Sequence, residues 1–381
     1  MISKASVISE VFLEGITVGS EFISNRSREE IGHELYMLEL AFQHNPYPGL
    51  RGTYEQFIEA EEGVFVVRPF EPLESRLRSA GANARVHVLS DVDGTLGQER
   101  EGLDESVRVV EGIDRAGWQN LMIPIFAEFL MDNTGLDHTT AERMTVEGAE
   151  YSMGKPTAVQ AGHQVTLCHL NMKRPPLLYS DVPLFDPALL KGKYTRRLEE
   201  KVEQRRAVYS PKELRIAGPC ELVGKFKESG YRIIFGSGTD LSKIKESLGR
   251  LGLICLADEK DIYAAGGILK PWECAKRYIV EMLKQEGVDG RLVISMGDGR
   301  PEIYEVYNIG GIALAVATPS ICRYNKDGFF TSQKKANGLI EAGATMYLEV
   351  DANGGINVQG AMKVIHQGVP ERYTRTAKVR E

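Results

Sequence analysis

Asp91 and Asp93 are carboxylates two residues apart, directly after the apolar run Val86-His87-Val88-Leu89-Ser90 and before Gly94-Thr95-Leu96. If that run is a strand, both acids sit at its tip, and Gly94 lets the chain turn sharply enough for a backbone carbonyl to face the same space. An EF-hand is the competing reading of alternating acids. It fails because Gly94 comes too early, no acid holds the fifth position and Gly102 occupies the twelfth. A second run, Arg232 to Gly236, leads into Ser237-Gly238-Thr239-Asp240, where the Ser237 hydroxyl and the backbone N–H groups around Gly238 can donate to an anion. As a dinucleotide fingerprint this segment fails, since Leu241 stands where the third glycine belongs. A third run, Leu292 to Met296, ends in Gly297-Asp298-Gly299-Arg300-Pro301-Glu302, another acidic pair. Lys276, in the helical stretch before that run, can bring a cation to the same rim, with Lys270 as its rival. One acidic turn is ordinary, but two sets of carboxylates with a serine, all at strand ends, read as a site for a hard metal ion and phosphate.

The runs that carry these residues alternate with helical stretches, about Pro219 to Ser229 stopping at Gly230 and about Pro271 to Gln285 stopping at Gly287, and a fourth run spans Ile312 to Val316. This alternation predicts an α/β fold with a doubly wound, parallel, Rossmann-like sheet as its core. Such sheets bind ligands beyond the carboxyl ends of their strands, where the acids stand. About 140 residues separate the first run from the second, whereas a βαβ unit needs about 30. A mostly helical insertion is therefore expected over 97–210, with helices at Trp118 to Met131, Thr139 to Ser152 and Tyr194 to Val208, and an irregular, proline-broken middle from Lys173 to Pro187. The core then comprises 83–96 plus 211–350.

Residues 1–82 hold 13 Glu and no Asp against 7 Lys plus Arg and read as a separate N-terminal extension of unassigned role. Within it Ser27 and Glu30 form a capping box, and Ile31, Leu35, Leu38 and Phe42 recur at helical spacing, predicting an amphipathic packing helix over 28–43. Residues 351–381 read as a tail, because from Met362 onward the chain carries five basic and two acidic residues and little apolar pattern.

In order and placement, Asp91-x-Asp93-Gly94-Thr95, Ser237, Lys276 and Gly297-Asp298-Gly299-x-x-Glu302 resemble the four motifs of the haloacid dehalogenase superfamily of aspartate-nucleophile phosphotransferases. The resemblance covers about Arg85 to Leu96 and Ala217 to Val350. The insertion resembles the helical cap of one class of these enzymes, and Asn133-Thr134-Gly135-Leu136 is similar to a cap segment of phosphatases acting on sugar-type phosphates. What the resemblance implies is a Mg²⁺-dependent phosphatase. Asp91 would be the nucleophile and Asp93 the general acid and base. Ser237, Gly238 and Lys276 would hold the phosphoryl oxygens. Asp91, the Asp93 backbone carbonyl and Asp298 would hold the metal, with Glu302 orienting Asp298 or a metal-bound water. Glu302 stands where relatives commonly carry Asp, and the lysine lead Trp272-Glu273-Cys274-Ala275 departs from the usual Ser- or Gly-rich one.

Within the same chemistry a phosphomutase or a phosphonate-cleaving enzyme stays open; from another class, so does a non-catalytic phosphate-ligand sensor. A dehalogenase has no use for Asp93 or a metal. The expected substrate is a small phosphorylated metabolite of sugar or polyol type, enclosed by the cap. A formal charge of −7 without a long basic run excludes nucleic acid as a partner. Apolar runs are far shorter than the roughly 20 residues that cross a bilayer, and no export signal is read, which places the chain in the cytoplasm. Five scattered cysteines fit reduced thiols, and seven histidines form no zinc pattern. His87 reads as structural, while His138 and Lys155 read as solvated. Residues 1–82 could carry self-association.

Overall fold

The computed structural model describes residues 12–13, 16–17, 20–43, 58–99, 118–152, 155–173, 175–176, 182, 184–318, 332–351 and 353–369. In chain order the first elements are β1 (Phe12–Leu13), β2 (Ile16–Thr17), α1 (Arg28–Gln43), β3 (Ile58–Glu61), β4 (Val64–Val66), α2 (Leu73–Ala80) and β5 (His87–Ser90). Four helices follow, α3 (Trp118–Thr134), α4 (His138–Tyr151), α5 (Thr157–Asn171) and α6 (Pro187–Val208). Then come α7 (Ala217–Glu228), β6 (Arg232–Asp240), α8 (Leu241–Arg250), β7 (Ile262–Ala265), α9 (Ala275–Gln285), β8 (Val293–Gly297) and α10 (Arg300–Asn308). The last are β9 (Ile312–Ala317), α11 (Ser332–Glu341), β10 (Met346–Glu349) and α12 (Val358–Gln367). The chain forms two compact units, Met1–Asn45 with Trp118–Lys201, and Pro46–Gly117 with Val202–Glu381.

The second unit holds an eight-stranded sheet in the order β3-β4-β10-β9-β8-β5-β6-β7. From β10 to β7 every pairing is parallel, while β4 joins β10 antiparallel and closes a hairpin with β3. Parallel strands buried on both faces read as unbroken apolar runs, as in Ile312-Ala313-Leu314-Ala315-Val316, where every residue is buried. The pleat sends Val88, Ile233, Ile294 and Leu314 to one face, against α2, α7, α8 and α12. It sends Leu89, Ile234 and Val293 to the other, against α9 and α10. Helices therefore cover both faces, and the expected doubly wound α/β core is the one observed. Starting at β5, the chain adds β6 and β7 on one side and later β8, β9 and β10 on the other, so the tip of β5 is the switch point of the sheet.

The structure parts residues 1–82 where the sequence suggested one extension. The β3–β4 hairpin extends the core sheet and α2 packs in the core, whereas α1 belongs with the helices of the insertion. The expected tail is also corrected. Its stretch from Val358 to Gln367 is helix α12, with Val358, Ala361, Val364 and Ile365 buried in the core, and Asn357 caps it by accepting from the Gly360 N–H at 2.8 Å. Residues 370–381 lie outside the described residues. α9 begins at Ala275 rather than near Pro271, because Lys270 to Glu273 make a turn closed by the Glu273 N–H on the Lys270 carbonyl.

In the first unit α1 is capped as expected. The Ser27 N–H donates to Glu30 Oε2 at 2.8 Å and the Glu30 N–H to Ser27 Oγ at 3.2 Å. Its buried face, Ile31, Leu35, Leu38 and Phe42, includes Leu38 set against Gly162 of α5, where an added Cβ would stand 2.6 Å from Leu38 Cβ. α5 escaped the sequence reading, since its buried side carries Gln160, Gln164 and His169 among small residues.

The chain leaves the core at Gln98 and Glu99 and returns along the end of α6, and within the second unit these stretches are tied together. Arg206 meets Glu99 through two nitrogens, at 3.2 and 3.0 Å, Arg205 donates to the carbonyls of Gln98 and Glu99, and Ser247 of α8 donates to Glu99 Oε2 at 2.7 Å. Glu99 is 2% exposed and needs this company.

Ile365→Ala tests the corrected tail. It should cost roughly 2–4 kcal/mol of the second unit's stability in urea unfolding, whereas a mobile tail would give no change. His87, buried in β5, is held neutral, its value pushed down to about 4 by burial and then by Arg232 and Arg85. Between its ordinary 6.5 and about 4 the unfolded chain binds a proton that the folded chain refuses, so this contribution to stability is full above 6.5 and fades as pH falls toward 4. Urea midpoints measured from pH 7 to 4.5 should therefore fall less steeply for His87→Gln than for the parent, and equal slopes would count against it.

Candidate active site

Asp91 continues the β5 ladder by one residue, its N–H donating to the Met296 carbonyl at 2.9 Å, and is 6% exposed. The chain then turns at Gly94, which has φ +79° and donates its N–H to the Gly97 carbonyl at 2.8 Å. A Cβ on Gly94 would stand 2.3 Å from Asp298 Oδ2, so glycine is required both for the turn and for the approach of the β8 loop. Thr95 locks that approach. Its hydroxyl donates to Asp298 Oδ1 at 3.0 Å and accepts from the Asp298 N–H at 3.0 Å. Beyond β8, Glu302 in the first turn of α10 folds back so that Oε1 accepts from the Gly299 N–H at 2.6 Å. A side chain at Gly297 would put its Cβ 2.1 Å from that oxygen.

Lys276, in the first turn of α9 and 4% exposed, brings Nζ to 2.8 Å from Asp91 Oδ1 and 3.7 Å from Glu302 Oε2. Lys270 is elsewhere. It is exposed, and its ammonium stands 5.6 Å over the Trp272 ring. Of the two lysines the sequence left open, the structure brings Lys276 to the acids.

One oxygen each from Asp91, Asp298 and Glu302 lie within 4.8 Å of one another. Burial holds the Asp91 carboxyl well above the usual carboxylate range, Lys276 opposes this, and Glu302 and Asp298 add to it. Glu302 is raised chiefly by its burial, again against Lys276. The Lys276 ammonium, which burial alone would disfavour, is held above its ordinary value by Asp91 and Glu302. Lys276 thus pairs with two of these three carboxylates, Asp91 and Glu302. Glu302 Oε2 is buried with no hydrogen bond, and the donors are all oxygen, a set that fits a hard divalent cation such as Mg²⁺.

Asp93 takes a different direction. Its Oδ2 accepts from the Thr239 hydroxyl at 2.8 Å and from Ser237 Oγ at 3.4 Å, so its carboxylate is not one of the clustered group. Ser237, 2% exposed, accepts from the Thr239 N–H at 3.0 Å, and Gly238 lies between the two hydroxyl residues on β6. Sequence reasoning gave no role to Thr239. The available signal was its place two residues after Ser237 on a strand, which directs both side chains to one side. Thr95 was quoted as part of a motif without the clamp it makes.

The remaining singled-out residues lie in the first unit. Asn133 and Thr134 donate to the Phe129 and Leu130 carbonyls and finish α3. His138 is 69% exposed beside Glu142. Lys155, expected to be solvated, is half-buried. It donates to the Phe42 carbonyl and stands 5.3 and 4.9 Å over the Phe42 and Tyr151 rings.

No protein-family model matches the sequence, and no curated protein matches it. Solved structures do. A hydrolase from Pseudomonas syringae is similar at 11% identity and TM-score 0.38, over 68% of this chain and 91% of that one. A beta-phosphoglucomutase from Clostridium difficile is similar at 14% identity and TM-score 0.39, over 71% and 92%. A HAD family hydrolase from Deinococcus radiodurans with bound phosphate and sodium is similar at 16% identity and TM-score 0.34, over 70% and 92%. The functional conclusion is carried by the site residues alone.

A cation that binds the folded state and not the unfolded one stabilises by RT ln(1 + [L]/Kd), about 2.7 kcal/mol at a hundredfold excess over Kd. Adding Mg²⁺ should raise the parent's melting temperature by several degrees and leave Asp298→Asn nearly unmoved. Equal shifts in both proteins would remove Asp298 from any cation site.

Proposed function

We propose that this chain is a Mg²⁺-dependent phosphatase of the haloacid dehalogenase superfamily, hydrolysing a small phosphorylated metabolite of sugar or polyol type. The observation that carries this reading is the division of labour at the β5 tip. Asp91 sits among carboxylates beside Lys276 at 2.8 Å, while Asp93 is held apart by hydroxyls of β6.

Asp91 Oδ attacks phosphorus in line, the bond to the substrate's ester oxygen breaks, and the departing alkoxide takes its proton from Asp93. Asp93, now a carboxylate, removes a proton from a water that attacks the same phosphorus, returning Asp91 and releasing phosphate. Ser237, the backbone at Gly238 and Lys276 hold the phosphoryl oxygens, and Lys276 offsets their charge. Asp91, the Asp93 carbonyl and Asp298 would hold Mg²⁺, with Glu302 orienting Asp298. When bound, the ion supplies neutralisation of charge on the transferring phosphoryl group.

Among the described residues no helix is long and apolar enough to cross a membrane. A cytoplasmic location and a free small-molecule substrate belong to the same proposal.

Phosphate release from a panel of sugar, polyol, nucleotide and carboxylate phosphates, with Mg²⁺ or EDTA, tests it. Release by the parent should require Mg²⁺ and should drop at least about 1,000-fold in Asp91→Asn with the fold retained. Activity surviving in that variant would overturn the nucleophile assignment, and phosphate-ester binding without turnover by the parent would turn the reading to a sensor.

A further inference from the structure

β6 runs on past the point where its neighbour stops matching it. Phe235 and Gly236 pair with Ile262 and Tyr263, and the next pairing is Asp240 with Ala265. Four residue steps on β6 therefore oppose two on β7, a bulge that takes Ser237, Gly238 and Thr239 out of the ladder. Bulges re-aim side chains, and this one brings the Thr239 hydroxyl to 2.8 Å from Asp93 Oδ2. That length is typical of a well-made O–H···O bond, whereas the 3.4 Å from Ser237 Oγ to the same oxygen lies at the limit. Ser237 is further engaged as acceptor of the Thr239 N–H.

A carboxyl that delivers a proton must present one particular oxygen to the leaving group, and rotation about its Cβ–Cγ bond exchanges the two. Resting on the phosphatase reading above, we infer that Thr239 is a positioning residue for Asp93. It engages Oδ2 at 2.8 Å and so restrains the rotation of the carboxyl about its Cβ–Cγ bond. Threonine suits the task, because its branched Cβ restricts χ1 and its hydroxyl has a single proton to give. Thr239 then acts only through Asp93, so it bears on the departure of leaving groups that need a proton and hardly on those that do not.

The test compares kcat/KM, which includes phosphoryl transfer to Asp91, for two substrates. One is the alkyl phosphate that the parent hydrolyses best; the other is p-nitrophenyl phosphate, whose leaving group departs without a proton. Thr239→Val keeps the shape and removes the hydroxyl, and Thr239→Ser restores the hydroxyl. Thr239→Val should lose about 10- to 100-fold on the alkyl ester, mostly in kcat, and less than about threefold on p-nitrophenyl phosphate. Thr239→Ser should recover most of the alkyl-ester loss. Retained p-nitrophenyl phosphate turnover in Thr239→Val certifies the fold. Equal losses on both substrates, no loss on the alkyl ester, or no recovery in Thr239→Ser would each overturn the role of Thr239. A parent that releases phosphate from neither substrate overturns the phosphatase reading, and this inference with it.

Discussion

The contact between Lys276 Nζ and Asp91 Oδ1 is the constraint around which the core is arranged. Taking an ammonium and a carboxylate out of water costs several kcal/mol per ion, and here two further acids crowd the same space. The arrangement survives only because backbone is allowed unusually close. Gly236 leaves room for the lysine stem and Ile279, where an added Cβ would meet Ile279 Cδ1 at 2.9 Å. Gly297 leaves room for Glu302, and Gly94 for Asp298. Three glycines, in β6, at the end of β8 and in the turn after β5, thus serve one cluster of charge.

The two acids of the Asp91-x-Asp93 pair share a strand tip but answer to different neighbours. Asp91 is governed by β8, α9 and α10, whose acids and lysine set its charge. Asp93 meets β6, where the Thr239 and Ser237 hydroxyls reach its Oδ2. Separate supports thus give the two carboxylates of one strand tip different surroundings.

The site was legible in the sequence because its residues interrupt what surrounds them. β5, β6 and β8 are buried on both faces, so the acid, hydroxyl and glycine residues at their ends stand out sharply against apolar runs. Shorter elements left weaker marks. β7 is Ile-Tyr-Ala-Ala and β10 is Met-Tyr-Leu-Glu, four residues each, and neither exceeds what a loop could contain. α12 was hidden by its small residues, Gly360 and Ala361, and by a basic stretch that dominates composition beyond it. Residues 1–82 looked uniform because acidity, read as composition, does not distinguish one side chain from another. Which unit each piece joins is decided by the buried ones, such as Leu38 in α1 and Val64 in β4. Thr239 was missed for a different reason: its place two residues after Ser237 was visible, but the bulge beside it is a feature of two paired strands.

Where Arg206 grips Glu99, the stretches that lead out of the core and back into it lie side by side. A chain segment whose two ends are already held together costs little more to lengthen, since each doubling of a flexible loop adds only about 0.6 kcal/mol of closure entropy. The core can therefore host an insertion of nearly any size at this point without altering its own sheet. In evolutionary terms, the grip makes the second unit a socket. Inserted segments could be exchanged there wholesale while Asp91, Asp298 and Lys276 stay where they are.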